Sequence, residues 1–159
     1  MDGFSIFGSF FRGFTKFGEN LQSLVLLIFR LIWGFSFYQA GIGKLSNMES
    51  TISLFQGLGI PFPETNAYFV ALVECIGGIF LIFGLGTQLW ALLLAIIMVV
   101  AFLTAHIDVL KNIFIDPLAV TKESPFNFLL VMLLLFAFGP GKISLDYLAE
   151  KIFHKFVKK

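Results

Sequence analysis

The stretch that decides the fold is residues 21–45, LQSLVLLIFRLIWGFSFYQAGIGKL. A bilayer crossing takes about 20 predominantly apolar residues, and this stretch supplies them. It also carries Arg30 in its middle. A charge at mid-membrane is costly, so it is normally paired or turned toward a protein interior. What accompanies Arg30 must come from the other apolar stretches of the chain.

Those stretches are plentiful. Of 159 residues, 58% are hydrophobic, 13% are charged and 22 are phenylalanine. Soluble domains are roughly 45–50% apolar. The class implied is a single-domain, all-α integral membrane protein. A net charge of +1 provides no basic surplus for binding nucleic acid. Cys75 is the sole cysteine, which excludes an internal disulfide, a CxxC motif and a thiolate metal cluster. Residues 1–20 lack both the apolar core and the cleavage motif of a secretory signal, so no cleavable leader is expected.

Working outward from residues 21–45, the pattern predicts a four-transmembrane-helix bundle with amphipathic N- and C-terminal interfacial segments. Spans are expected at about 21–41, 66–85, 88–107 and 125–138, within a membrane domain of residues 20–144. Residues 1–19 repeat Phe at positions 4, 7, 10, 11, 14 and 17, which predicts an interfacial segment lying on the membrane. A disordered Phe-rich leader is the alternative, because four glycines weaken the helix. Between the first two spans, residues 47–66 carry charges and an IPFP run that end any helix. Glycines at 84 and 86 predict a tight turn, and Gly139-Pro140-Gly141 a stop. Residues 145–159 place Leu145, Leu148, Ile152 and Phe156 opposite lysines, predicting a basic interfacial helix or, alternatively, a partner surface within a bundle.

Lysine and arginine counts orient the chain. One side would hold Arg12, Lys16, Lys142, Lys151, Lys155, Lys158 and Lys159, and the other only Lys44, Lys111 and Lys122. By the positive-inside rule both termini are cytoplasmic.

Counting depth from the expected span ends puts Arg30 about 14 Å and Glu74 about 12 Å from opposite faces, both near the midplane. The expectation is an Arg30–Glu74 pair between adjacent antiparallel helices. It would be either a registry device or the floor of an outward-facing polar pocket. Gln39, Lys44, His106 and Asn127 would form that pocket's outer rim. Each has a plainer explanation too: Lys44 can snorkel to the interface, and Asn127 can cap the fourth helix. Haem would need two histidines in the bundle, and zinc three or four clustered ligands. The two histidines are dispersed, so no metal site and no self-sufficient catalytic constellation are expected.

Taken together, several motifs resemble the DoxX family of membrane proteins. They are an arginine in the first span followed by Gly41-x-x-Lys44-Leu45, then Leu58-Gly59-Ile60-Pro61-Phe62-Pro63. Glu74-x-x-Gly77-Gly78, Gly84-Leu85-Gly86-Thr87 and His106 follow, and residues 139–146, GPGKISLD, close the set. The resemblance implies a bacterial inner-membrane subunit associated with respiratory or oxidative-stress redox chemistry, with a quinone as the ligand to consider. It equally implies a non-enzymatic anchor or assembly factor for a partner oxidoreductase. A small transporter, alone or as a homo-oligomer, is a third class, disfavoured by the lack of an inverted repeat.

Overall fold

The computed structural model describes the backbone of residues 3–157. It describes side chains from residue 15 to 155, apart from Phe17, Glu19 and Asn20. Among these residues every regular element is helical. The first helix, α1, runs unbroken over Gly3–Ser46, 44 residues or about 66 Å. No proline interrupts it, and Lys44 in its last turn faces the partial negative charge of the helix end. The backbone is therefore continuous from leader to span. The phenylalanine face expected on residues 1–19 (Phe4, Phe7, Phe10, Phe11, Phe14 and Phe17) lies outside the described side chains.

A short helix, α2 (Met48–Gly57), follows at once and buries Thr51 and Phe55. The next helix, α3 (Pro63–Phe83), starts on a proline, which costs nothing where the N–H has no intrahelical partner. It ends on Gly84 at φ +67°, with Leu85 N–H donating to Phe80 C=O at 3.0 Å and Gly84 N–H to Leu81 C=O at 3.1 Å. These two bonds close a Schellman motif, and α4 (Thr87–Ala105) leaves in the opposite direction. Two short helices, α5 (Ile107–Lys111) and α6 (Ala119–Lys122), interrupt the connection to α7 (Ser124–Phe138). The chain closes with α8 (Leu145–Val157).

Packing centres on α1 and α3. A Cβ added at Gly78 would stand 2.5 Å from Gly34 O, and one at Gly41 would stand 2.5 Å from Cys75 N. Only glycine admits such backbone approach, as in other small-residue membrane interfaces. These contacts also set the register. Position 34 lies level with 78, and 41 with 71–75. The α4–α7 pair completes the bundle, with Leu26, Phe37, Leu81, Leu94, Met132 and Leu135 buried between the pairs. Phe37 meets Phe128 edge-on at 4.9 Å, tying α1 to α7.

Three helices are long and apolar enough to cross a membrane: Leu21–Ser46, Pro63–Phe83 and Thr87–Ala105. Their outward faces are rich in exposed Leu, Ile, Val and Phe. This is what a lipid-facing surface requires, and the chain is a membrane protein. The fourth apolar helix, α7, has 15 residues, about 22 Å. It is short of the roughly 30 Å hydrocarbon thickness. The bundle has two unlike ends. The turn end carries the α3–α4 turn and residues 139–146, and the loop end carries the α1–α3 and α4–α7 connections.

Candidate functional site

Among the described residues two charged side chains are buried in the bundle, Arg30 at 1% exposure and Glu74 at 2%. Glu74 lies on the α3 face that also buries Ala67, Ala71 and Gly78 against α1. Its partner is Lys44, whose Nζ donates to Glu74 Oε2. The lysine stem lies against the bundle with the side chain 28% exposed, while the carboxylate is 3% exposed. A long flexible stem can deliver its ammonium this way, and an ion pair so placed removes two lone charges at once.

The expected Arg30–Glu74 pair does not form. In the register set by Gly34, Gly41 and Gly78, Arg30 is level with Gly84, ten residues along α3 from Glu74. Ten residues of helix are about 15 Å. The depth count failed because it measured each charge from its own expected span end, whereas the register between α1 and α3 is set by their glycine contacts.

Arg30 instead meets the segment that follows α7. Its Nη2 donates to the Ile143 carbonyl. Its Nε and Nη1 are buried with no partner. The guanidinium occupies the space that a side chain at Gly84 would fill, since a Cβ there would overlap it. Gly84 is thus required twice, for its positive φ and for the arginine. The acidic group that acts on Arg30 through space is Asp146. That carboxylate is itself engaged: it accepts from Gly86 N–H at 2.7 Å and Thr87 N–H at 3.0 Å. In return Asp146 N–H donates to Gly84 C=O at 2.9 Å. Residues 139–146 are further held by Lys142 N–H to Ser23 Oγ at 3.4 Å and Ser144 Oγ–H to Gly141 C=O at 2.8 Å.

This strap separates two cavities. One, of about 440 Å³, is bounded by Leu27, Arg30, Phe83, Lys142, Leu145 and Leu148, among others. Its walls are mostly apolar, with the Arg30 guanidinium and Ser144 as buried polar groups. The other, about 770 Å³, opens among Gln22, Ser23, Thr87, Gln88, Tyr147 and Glu150. Thr87 is fully buried there, with its hydroxyl unpartnered. Guanidinium N–H groups form a planar fork suited to a carbonyl, carboxylate or phosphate oxygen.

The remaining expected residues are dispersed. His106 Nδ1 lies 2.7 Å from Glu123 Oε2, joining the two ends of the α4–α7 connection. Asn127 donates to Thr121 C=O at 2.9 Å. Gln39 is exposed on the outer face of α1. Of the expected rim, only Lys44 joins Glu74. Among the described residues no three His, Cys, Asp or Glu side chains gather as a metal site. Lys142 and Ile143 beside Arg30, and Asp146 acting on it through space, were not singled out residue by residue. Their signal was the GPGKISLD run at 139–146, quoted above only as a motif.

Comparison with known proteins follows the same outline. The family model described as DoxX matches residues 25–107, a range holding Arg30, Lys44, Glu74 and His106 but not the strap. A Bacillus subtilis protein named "Putative oxidoreductase CatD" is 36% identical over 81 residues, 51% of this chain and 59% of that protein. The match thus spans less than two thirds of that relative. A Haemophilus influenzae protein named only "Uncharacterized protein" is 30% identical over 135 residues, 82% of this chain and 85% of that protein. No solved structure matches the chain.

Proposed function

The chain belongs to the DoxX family, and on that premise we propose that it is the membrane-embedded subunit of an oxidoreductase system, holding a quinone-type ligand beside Arg30. It resides in the bacterial inner membrane with four crossings and both termini in the cytoplasm, the orientation favoured by the lysine-rich tail. The redox centre belongs to a partner protein, and the chain supplies the lipid-side binding site. The name of the B. subtilis relative supports the redox setting.

One observation carries the reading. Arg30 is buried with two N–H-bearing nitrogens unpartnered at an apolar-walled cavity. Leaving such donors unmet costs about 1–3 kcal/mol each, more for a charged group. A quinone carbonyl would accept from Nε or Nη1, and its ring would lie among Leu27, Phe83 and Leu148. The bound ligand contributes the electron-accepting chemistry. The protein's part is to orient the carbonyl and exclude water.

The test is quinone content after purification in mild detergent, wild type against Arg30→Met. Loss of that charge-assisted hydrogen bond should lower occupancy roughly tenfold at limiting quinone. A folded wild type without quinone, or a variant retaining the full amount, rejects the proposal. A second reading, an anchor or assembly factor without a ligand, is favoured by the other charge site. There Lys44 closes Glu74 off completely, and the glycine-packed helices leave no room for a ring.

A further inference from the structure

The α4–α7 connection breaks a rule that soluble loops keep. Phe114, Ile115 and Leu118 are 98%, 83% and 69% exposed. Three large apolar side chains at one apex are unusual on a surface bathed in water. The loop is held in part by its own backbone: Ile113 N–H donates to Leu110 C=O at 3.2 Å, Ile115 and Asp116 N–H to Asn112 C=O at 2.9 and 3.0 Å, and Ala119 N–H to Asp116 C=O at 3.2 Å. The remaining N–H groups suit the hydrated boundary layer and not the hydrocarbon centre. Some of the ionisable groups flanking the apex are paired. Lys111 Nζ is 3.4 Å from Asp108 Oδ1, and His106 is joined to Glu123.

The helix that follows gives the apex a reason. At 15 residues, about 22 Å, α7 falls some 8 Å short of the hydrocarbon thickness. Its start lies level with the end of α4, where His106 meets Glu123 and Phe102 meets Phe126. The connection therefore leaves both helices at the loop-end boundary of the apolar bundle. Phe62, at the same end of the bundle, repeats the feature. It is 80% exposed and held at φ +45°, a left-handed conformation disfavoured for a bulky residue. The apex also continues the exposed apolar faces of α4 and α7, which already meet lipid.

We propose that residues 113–118 form a lipid-inserted apex: Phe114, Ile115 and Leu118 enter the headgroup–acyl boundary of the leaflet at the loop end and complete the crossing that α7 alone does not span. The occupant of this surface is the bilayer itself. Asp116 is tolerated because the boundary layer, unlike the hydrocarbon centre, is hydrated.

The experiment uses the full chain in phosphatidylcholine vesicles, with Trp33 and Trp90 replaced by Phe and Phe114→Trp as the sole tryptophan. Emission should be blue-shifted. It should fall by roughly half with lipids brominated near the headgroup, and less with lipids brominated near the chain ends, as for an interfacial depth. Aqueous acrylamide should quench it only weakly. Phe62→Trp in the same background should behave alike. Water-like emission that acrylamide quenches freely and bromolipid does not would overturn the proposal. So would shielding seen only in native membrane vesicles, which would assign the apex to a protein partner.

Discussion

Lys44–Glu74 and Arg30 are both charged sites inside one helix bundle, and they are completed differently. Glu74 receives a counter-charge from the adjacent helix, delivered along a stem that reaches the bundle edge. Arg30 receives one carbonyl from a strap 113 residues away and keeps two nitrogens unpartnered. The first site is closed by short-range antiparallel packing. The second keeps buried donors unused beside the pocket that Arg30 helps to line. A buried charge therefore does not by itself mark a binding site. What matters is how many of its donors and acceptors the protein has already used.

The largest effect expected from breaking this contrast is at Lys44. Lys44→Met would strand a buried carboxylate, which costs about 3–5 kcal/mol. Glu74→Gln should cost much less, because Lys44 can swing its ammonium out to the interface. The double exchange, Lys44→Glu with Glu74→Lys, should recover part of the loss. Unfolding titrations in SDS–detergent mixtures read all three. Equal penalties for the two single changes would mean the pair is not closed in the way described.

The close helix approach should yield the next largest effect. Gly78→Ala places a methyl 2.5 Å from Gly34 O, and overpacking of this kind costs about 1–3 kcal/mol. Gly43→Ala meets nothing within 4 Å and should be neutral or stabilising by up to about 1 kcal/mol, from helix propensity. The same titration separates them, and the contrast is lost if both glycines respond alike.

Arg30→Met should change stability least. Replacing a half-paired buried ion with an apolar chain of similar volume is often neutral or stabilising, so the unfolding midpoint should hold or rise. Combined with the quinone measurement above, this sharpens the comparison. Removing one charge damages the fold, and removing the other damages only binding. A collapse of the fold at Arg30→Met would make the two sites equivalent after all.

The helical membrane character was legible because it depends on local composition and on turn glycines. Gly84 and Gly139 end helices through their own backbone freedom, which neighbours in sequence suffice to reveal. The identities of the two buried charges were legible for the same reason: Arg30 and Glu74 stand out against apolar surroundings. Their partners were not. Pairing depends on register, and register is set by Gly34, Gly41 and Gly78 meeting across two helices. A shift of ten residues along α3 changes every partner while leaving both hydropathy profiles untouched. The contact between Arg30 and Ile143 is harder still, since it relies on a backbone carbonyl that no side-chain pattern announces.

That distance along the chain has a consequence for biogenesis. Arg30 emerges from the ribosome 113 residues before the carbonyl that receives it, an interval of about ten seconds at ordinary translation rates. During that time the helix carrying it must enter the membrane with its guanidinium unmet by the strap. Insertion can draw on the early pairing with α3, but the arginine's protein contact waits for the last stretch of chain. A chain halted before Ile143 would hold the four apolar helices but would leave Arg30 without the carbonyl that receives it.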